Sequence, residues 1–277
     1  MEAWRKKLIF SCIIPAKDLD DPKLKDLLTS IRSQEFPQDQ IETIVVTEGD
    51  SEQAKAIGIR QARGEICAMF CADNYLVEKG AFTDFKWLFD RFPLAVGIYS
   101  KHYRLRIGDN SLNRYFSLMG NNDPIAFYLG KCDRKPFWES DDNECFTAMR
   151  FDKKIPSLGC NGFFFRRDVL MRFCDLEHYY PMDIAADLAK AGHVSYIRIA
   201  GSYLWHRTSD NLLTFLRKRY RYARDLYSDR TDRRWKMVDG TKDYLRLAWF
   251  CLATITCIQP VSTSIRGFLK IRDFAWF

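Results

Sequence analysis

Several familiar signatures are missing from this chain of 277 residues. It has no G-x-G-x-x-G and no G-x-x-x-x-G-K-[ST], which removes the dinucleotide fingerprint and the P-loop. Its nine cysteines fall singly, mostly inside apolar runs (Cys12, Cys67, Cys71, Cys251, Cys257), and no C-x-x-C pair occurs. That excludes a disulfide framework, makes zinc unexpected and suits a reducing compartment. Internal repeats and low-complexity tracts are absent. A good bilayer span is missing too, because Gln259, Pro260 and several Ser and Thr interrupt the uncharged stretch from Leu247 to Ile265. The start, MEAWRKKLIFSCIIP, imitates a secretion signal, but its apolar part is short and no small-x-small cleavage site follows. A first β-strand is the better reading, and a cytosolic protein is expected.

What is present describes a folded chain. Apolar residues make up 47% and charged residues 29%, enough for one large domain or two small ones. The net charge of +7 lies mostly in the C-terminal third and suits an anionic partner such as a nucleotide, an acidic lipid surface or nucleic acid.

The first hundred residues alternate between two periodicities. LIFSCIIP is a continuous apolar run closed by Pro15, as expected of a strand covered on both faces. In DDPKLKDLLTSIRSQ, Asp21 is placed as N-cap and Pro22 as first helical residue, with Leu24, Leu27, Leu28 and Ile31 on one face. IETIVVT reads as a strand, SEQAKAIGIRQARG as a small-residue helix ended by Gly64, and EICAMFCAD as a third strand. The alternation predicts an α/β fold with a parallel sheet and right-handed crossovers. In such sheets ligands bind beyond the carboxyl ends of the strands. PAKD (15–18), TEGDS (47–51) and CADN (71–74) should therefore meet at one edge. Acidic strand tips without a glycine-rich phosphate loop point to phosphates held through a divalent cation, Mn²⁺ or Mg²⁺.

Taken in order, IIPAKD, VVTEGDS, AKAIG, ARGE and FCAD resemble the nucleotide-binding half of family 2 glycosyltransferases, which have the GT-A fold. Further on, LGCNGFFFRRDVL (158–170) resembles the acceptor-side loop and strand. YYPMDIAADLAKAGH (179–193) resembles the segment with the catalytic base, and LWHRTSDNLLTFLRKRYRYARD (204–225) the His-bearing strand end and basic helix. The resemblance implies a Rossmann-like, mixed and mainly parallel sheet over 1–225, with a nucleotide-binding half (1–100) and an acceptor half (101–225). A C-terminal helical segment (226–277) follows. The chain departs from the family pattern in three places. Cys71 replaces the first acid of Asp-x-Asp, Thr47 replaces the first Asp of Asp-Asp-Gly-Ser, and Ala56 replaces a helix Asn.

The resemblance implies a role for each of the following. Asp73 would hold the metal against a sugar-nucleotide diphosphate, and His206 would complete the metal or diphosphate site. Pro15, Ala16, Asp18, Glu48, Lys55 and Asn74 would line the nucleotide, with Glu48 on base or ribose. Arg221 would face the diphosphate, and Asn161 and Gly162 the acceptor. Asp183 would deprotonate the acceptor hydroxyl, with Asp187 the next candidate. Each has a plainer alternative. Asp73 and Glu48 are turn formers, Asp183 is a natural helix cap, and a His beside Trp is often structural. RKRYRYARD (217–225) has an RNA-like composition, but as a helix it splits into a basic face and an aromatic one, so no nucleic-acid partner is expected. Its KRYRY is a loose relative of the (Gln/Arg)-x-x-Arg-Trp signature of processive members, with Lys218 and Tyr222 substituted.

Arg246, Arg266, Lys270 and Arg272 flank the apolar tail, with Trp249, Trp276 and Phe277 among them, the pattern of an interfacial anchor. A C-terminal core helix fits the pattern equally. The apolar ending FAWF suggests that further chain follows. The expectation is an inverting, metal-dependent glycosyltransferase at the inner face of the cell membrane. It would use a nucleotide-diphosphate sugar, UDP-linked for preference, and act on a lipid-linked or cell-envelope glycan acceptor. The rivals are a sugar nucleotidyltransferase, which normally needs a Gly-rich basic loop that PAKDLDDPKL does not supply, and an inactive sugar-nucleotide-binding module.

Overall fold

The computed structural model describes residues 7–121, 123–139, 145–152, 154–158, 161–224 and 233–277. The first strand, β1 (Phe10–Pro15), is buried up to Pro15. The following helix, α1 (Pro22–Arg32), begins where its cap demands: the Asp21 carboxylate accepts from the Lys23 amide, and Leu24, Leu27 and Ile31 turn inward. After β2 (Ile41–Val46), a capping box of Asp50 and Gln53 starts α2 (Ser51–Gln61). That helix packs so closely on β1 that a Cβ on Gly58 would come 2.4 Å from Ile13 Cγ2. It ends at Ala62 instead of Gly64, because Ala62 already has extended ψ. The third strand, β3 (Ile66–Met69), is shorter than its apolar run. The chain turns after it and re-enters as β4 (Asn74–Leu76).

The remaining strands are β5 (Gly97–Ser100), β6 (Phe146–Arg150), β7 (Phe163–Arg166), β8 (Ser195–Ile199) and β9 (Leu204–His206). Seven of them form one sheet in the order β2-β1-β3-β7-β5-β8-β6, and β4 pairs with β9 in a separate ladder. Pairing is parallel for β2-β1-β3 and β5-β8, whereas β7 and the edge strand β6 run the other way. The sheet is thus mixed, with most strands pointing in one direction, as the sequence led one to expect. Strands from the two expected halves interleave in it, since β7 sits between β3 and β5.

Side-chain alternation on β7 shows the layers. Phe164 joins Leu24 and Leu27 of α1 and Phe82, Phe85 and Phe89 of α3 (Ala81–Arg91) on one face. Phe163 and Phe165 join Ile59 of α2, Leu170 of α6 (Arg167–Phe173) and Leu188 of α7 (Pro181–Lys190) on the other. Phe85 stacks on Phe164 with centroids 3.9 Å apart.

The C-terminal part comprises α9 (Thr241–Ile255) and α10 (Ile258–Lys270), bent 84° against each other. They dock through a few anchors. Trp276 is buried against Tyr115 of α4 (Ser111–Met119) and against Trp138, Phe250 meets Tyr128 of α5 (Pro124–Tyr128), and Asp243 pairs with Lys131 at 2.6 Å. Most of their apolar side chains face outward, with Leu245 68% and Ile255 81% exposed. An ordinary core helix would bury them. Among the described residues no single helix is long and apolar enough to cross a membrane, although the bent pair together has the composition. The domain boundary expected at 225 falls next to 225–232, outside the described residues.

Candidate active site at the strand ends

A cleft of about 420 Å³ opens at the carboxyl ends of β1 and β3. Pro15 ends β1 on its wall, Ser51, Glu52 and Lys55 come from α2, and Cys71, Ala72 and Asp73 follow β3. Because β7 runs antiparallel to β3, the loop before it brings Asn161 to the same end. The start of α7 adds Tyr180, Pro181 and Met182. One face of α8 (Leu212–Tyr222) adds Lys218, Arg219 and Tyr222.

Asp73 is the centre of this arrangement. The residue is only 9% exposed, and its carboxylate accepts from Lys218 Nζ at 3.0 Å on Oδ2. His206 Nε2 lies 3.5 Å from Oδ1, and Asn74 Nδ2 donates to the same oxygen at 3.3 Å. Burial by itself would raise the proton affinity of Asp73. The charges and hydrogen bonds of His206 and Lys218 outweigh it and hold the carboxyl well below its usual range. Lys218 answers in kind: burial opposes its charge, Asp73 outweighs that, and the ammonium is held above its usual range. His206 reaches the site through the β4–β9 ladder, where it pairs with Asn74, and its ring packs on Tyr103. Asn74 is fully buried, and its Oδ1 accepts the Cys71 amide at 2.9 Å. It closes the turn that aims Asp73.

The structure brings together Pro15, Lys55, Asp73, His206 and Asn161 from the residues singled out in the sequence, with Asn74 directly behind Asp73. Gly162 makes the turn instead of lining the cleft. Its φ is +70°, and a Cβ there would come 2.7 Å from Leu204. Four others sit elsewhere. Asp18 is exposed and accepts the Asp20 amide, a local turn bond. Ala16 is fixed by its amide to the Val46 carbonyl and packs on the core. Glu48 is exposed in the turn before the Asp50 cap. Arg221 is exposed on the far face of α8, in a groove with Arg217 and Tyr220, so α8 turns Lys218 to the cleft in its place.

Asp183 stands just under the cleft wall, outside the lining. It is 2% exposed, accepts the Trp235 amide at 2.7 Å and lies 3.7 Å from Arg234. Burial raises its proton affinity, against those two partners. Asp187, the next candidate, is bound by Arg234 Nε at 2.5 Å. Both carboxylates thus hold the 233–235 segment to α7. Two residues the sequence gave no reason to choose, Asp133 and Arg134, do line the cleft. Arg134 donates to the Asn161 carbonyl at 2.6 Å and to Asp133 at 2.8 Å, and so clamps the loop before β7. Burial raises the proton affinity of Asp133 despite this pairing. Only a lone Asp-Arg dipeptide in KCDRKPF marked them, which is no signal.

Asp73 and His206 offer one carboxylate and one imidazole to a cation, and among the described residues no cluster of three His, Cys, Asp or Glu surrounds a common point. Mg²⁺ in phosphate sites is often held by one or two carboxylates together with substrate oxygens. The pair therefore fits a cation carried in on a diphosphate and does not fit one held by protein alone.

No family model matches the sequence, and no curated protein matches it. Solved structures do. Residues 1–349 of TarS from S. aureus align at TM-score 0.46 and 15% identity, over 73% of this chain and 61% of that one. Mannosyltransferase PcManGT from Pyrobaculum calidifontis, in complex with GDP-Man and Mn²⁺, aligns at 0.49 and 14%, over 98% and 77%. A197 from STIV aligns at 0.43 and 11%, over 74% and 88%. The chain thus spans about three fifths of the length of that TarS fragment.

Proposed function

We propose that the chain is an inverting glycosyltransferase of the GT-A type, moving a sugar from a nucleotide-diphosphate donor, UDP-linked for preference, to an acceptor hydroxyl. One observation carries this reading. Parts of three strand-end motifs that resemble the family, Pro15, Ser51 and Cys71 to Asp73, line a single cleft, with His206 3.5 Å from Asp73. The nucleotide would lie across the ends of β1 and β3, against Pro15 and Lys55. Where a divalent cation is used, Asp73 and His206 would hold Mn²⁺ or Mg²⁺ on the diphosphate, and a cation there would supply charge neutralisation for the leaving group. Asn161 and Met182 form the wall where an acceptor would enter. For deprotonation of its hydroxyl the reading draws on Asp183, next to Met182 and raised in proton affinity by burial. Asp133, likewise raised, is the second candidate, favoured by its place in the cleft wall.

The exposed apolar side of α9 and α10, including Leu245, Trp249, Leu252, Ile255 and Ile258, supports a peripheral seat on an anionic membrane face, with Arg246, Arg266, Lys270 and Arg272 for the headgroups. In a cell this is the inner leaflet, which favours a lipid-linked acceptor, as in envelope glycan assembly. The test is release of nucleoside diphosphate from a panel of UDP- and GDP-sugars, with and without Mn²⁺. Release of nucleoside diphosphate supports the reading. Formation of nucleoside triphosphate and sugar 1-phosphate when pyrophosphate is added would identify a nucleotidyltransferase, and binding without turnover a sugar-nucleotide-binding module.

A further inference from the structure

Beyond the tip of β3, Cys71 and Asp73 share the cleft with a lysine that α8 brings from far along the chain. Lys218 Nζ sits 3.0 Å from Asp73 Oδ2 and forms part of the cleft wall. Its side chain is 32% exposed, so the ammonium is within reach of a ligand while still held by its partner. An ammonium has three protons, and the hydrogen bond to Asp73 takes one. Arg219, the next residue, and Lys55 also line the cleft.

These charges bear on what a phosphate meets on entry. Asp73 and Lys218 cancel each other. A divalent cation bound to Asp73 would stand a few ångströms from a fixed ammonium, and like charges at that distance in a partly buried site repel strongly. A diphosphate at Lys218 faces the Asp73 carboxylate in turn. It can still take the remaining ammonium protons in charge-assisted bonds without breaking the pair, and Arg219 and Lys55 in the cleft lining offset the repulsion.

We propose that Lys218 is a resident cation of the diphosphate site, so that the nucleotide binds without a divalent metal and any metal must compete with Lys218 for Asp73. The inference rests on the proposed reading of the cleft as a nucleotide-diphosphate site. It assigns to a side chain of the protein a charge that would otherwise arrive with the metal.

Calorimetric titration of UDP and of GDP into the full chain, in EDTA and again in Mn²⁺, tests it. At least one nucleotide should bind in EDTA, with Mn²⁺ improving affinity by less than about tenfold. Lys218→Gln should weaken binding in EDTA by about 10- to 100-fold, the size of a lost charge-assisted hydrogen bond. It should also tighten binding of Mn²⁺ alone, read by the loss of the free-ion spin-resonance signal, because the competing ammonium has gone. Lys218→Arg keeps the charge and should retain binding in EDTA, which controls for misfolding of the glutamine variant. The proposal is overturned if the wild-type chain binds nucleotide only with Mn²⁺, or if Lys218→Gln binds in EDTA as well as the wild type does. Failure of either nucleotide to bind under both conditions would instead overturn the reading of the cleft.

Discussion

Asn74 and His206, 132 positions apart in the sequence, face each other across the antiparallel ladder of the two short strands β4 and β9. Through that pairing His206 reaches Asp73, and the Asn74 side chain fixes the turn from Cys71 that presents the carboxylate. The small second sheet therefore positions the site, while its Tyr75, Leu76 and Leu204 join the core.

The Asp73–Lys218 pair should show in acid stability. Asp73 has its folded proton affinity depressed, so the unfolded chain binds more protons as pH falls below the ordinary aspartate value of 3.8. Its contribution is present above that value and is lost as pH falls further. Asp73→Asn leaves Lys218 without its partner and should cost about 1–3 kcal/mol at pH 7, between the ranges for surface and buried pairs. The gap in melting temperature between wild type and Asp73→Asn should narrow from pH 6 to pH 3. A gap independent of pH would show that the pair is not formed in solution.

Restoring a second acid should change metal binding. Burial raises the proton affinity of the Cys71 thiol against the charges of Lys55 and Lys218. An aspartate starts from a far lower ordinary value, so the carboxylate added by Cys71→Asp should still be ionised at neutral pH. Mn²⁺ affinity in the presence of UDP or GDP should rise by about tenfold, as a second hard oxygen ligand joins the first. Calorimetry on the variant checks this, and unchanged affinity would place the cation away from the β3 tip.

Two carboxylates compete for the role of base, and they separate by what else they hold. If Asp183 is the base, Asp183→Asn should lower kcat by about 10²–10⁴ with nucleotide affinity intact. Its bond to the Trp235 amide predicts in addition a drop in melting temperature, because an asparagine accepts more weakly than a carboxylate. Asp133→Asn keeps the shape of the cleft wall and should show the kcat loss instead if Asp133 is the base. A fall in melting temperature with normal kcat in Asp183→Asn would make that residue an anchor only.

Substitution on the outer face of the C-terminal helices distinguishes membrane seating from folding. Leu245, Trp249 and Ile255 are more than half exposed, whereas Trp276 is buried. The triple change Leu245→Gln, Trp249→Gln, Ile255→Gln should leave the melting temperature nearly unchanged and release the protein from anionic vesicles in flotation. High salt should release the wild-type chain only in part, since apolar burial is indifferent to salt. Trp276→Ala, by contrast, should destabilise by about 3–5 kcal/mol through the cavity it leaves beside Tyr115 and Trp138. Wild-type chain that ignores vesicles would end the membrane proposal.

Local pattern was enough for the first part of the fold. The apolar run of β1, the Asp21–Pro22 start of α1, the capping of α2 and the acidic tip after β3 all depend on residues within a few positions of one another. The convergence of Pro15, Ser51 and Asp73 followed from strand polarity, since parallel strands open their carboxyl ends on one side. What lay beyond the sequence was each contact that depends on a helix rotation or a distant pairing. KRYRY shows a basic stretch, but only the packing of α8, with Phe215 against Phe116, decides that Lys218 enters the cleft and Arg221 faces away. Asp183 has the right spacing for a helix-start carboxylate, yet the return of Arg234 and Trp235 from far along the chain takes up its oxygens. Asp18 and Glu48 have the composition of a ligand site, but short turns leave them exposed outside the cleft. Periodicity and capping are properties of neighbouring residues and can be read from their order. The partner of a charge is set by the lowest-energy packing of the whole chain, which brings Lys218 and Asp73 together across 145 positions.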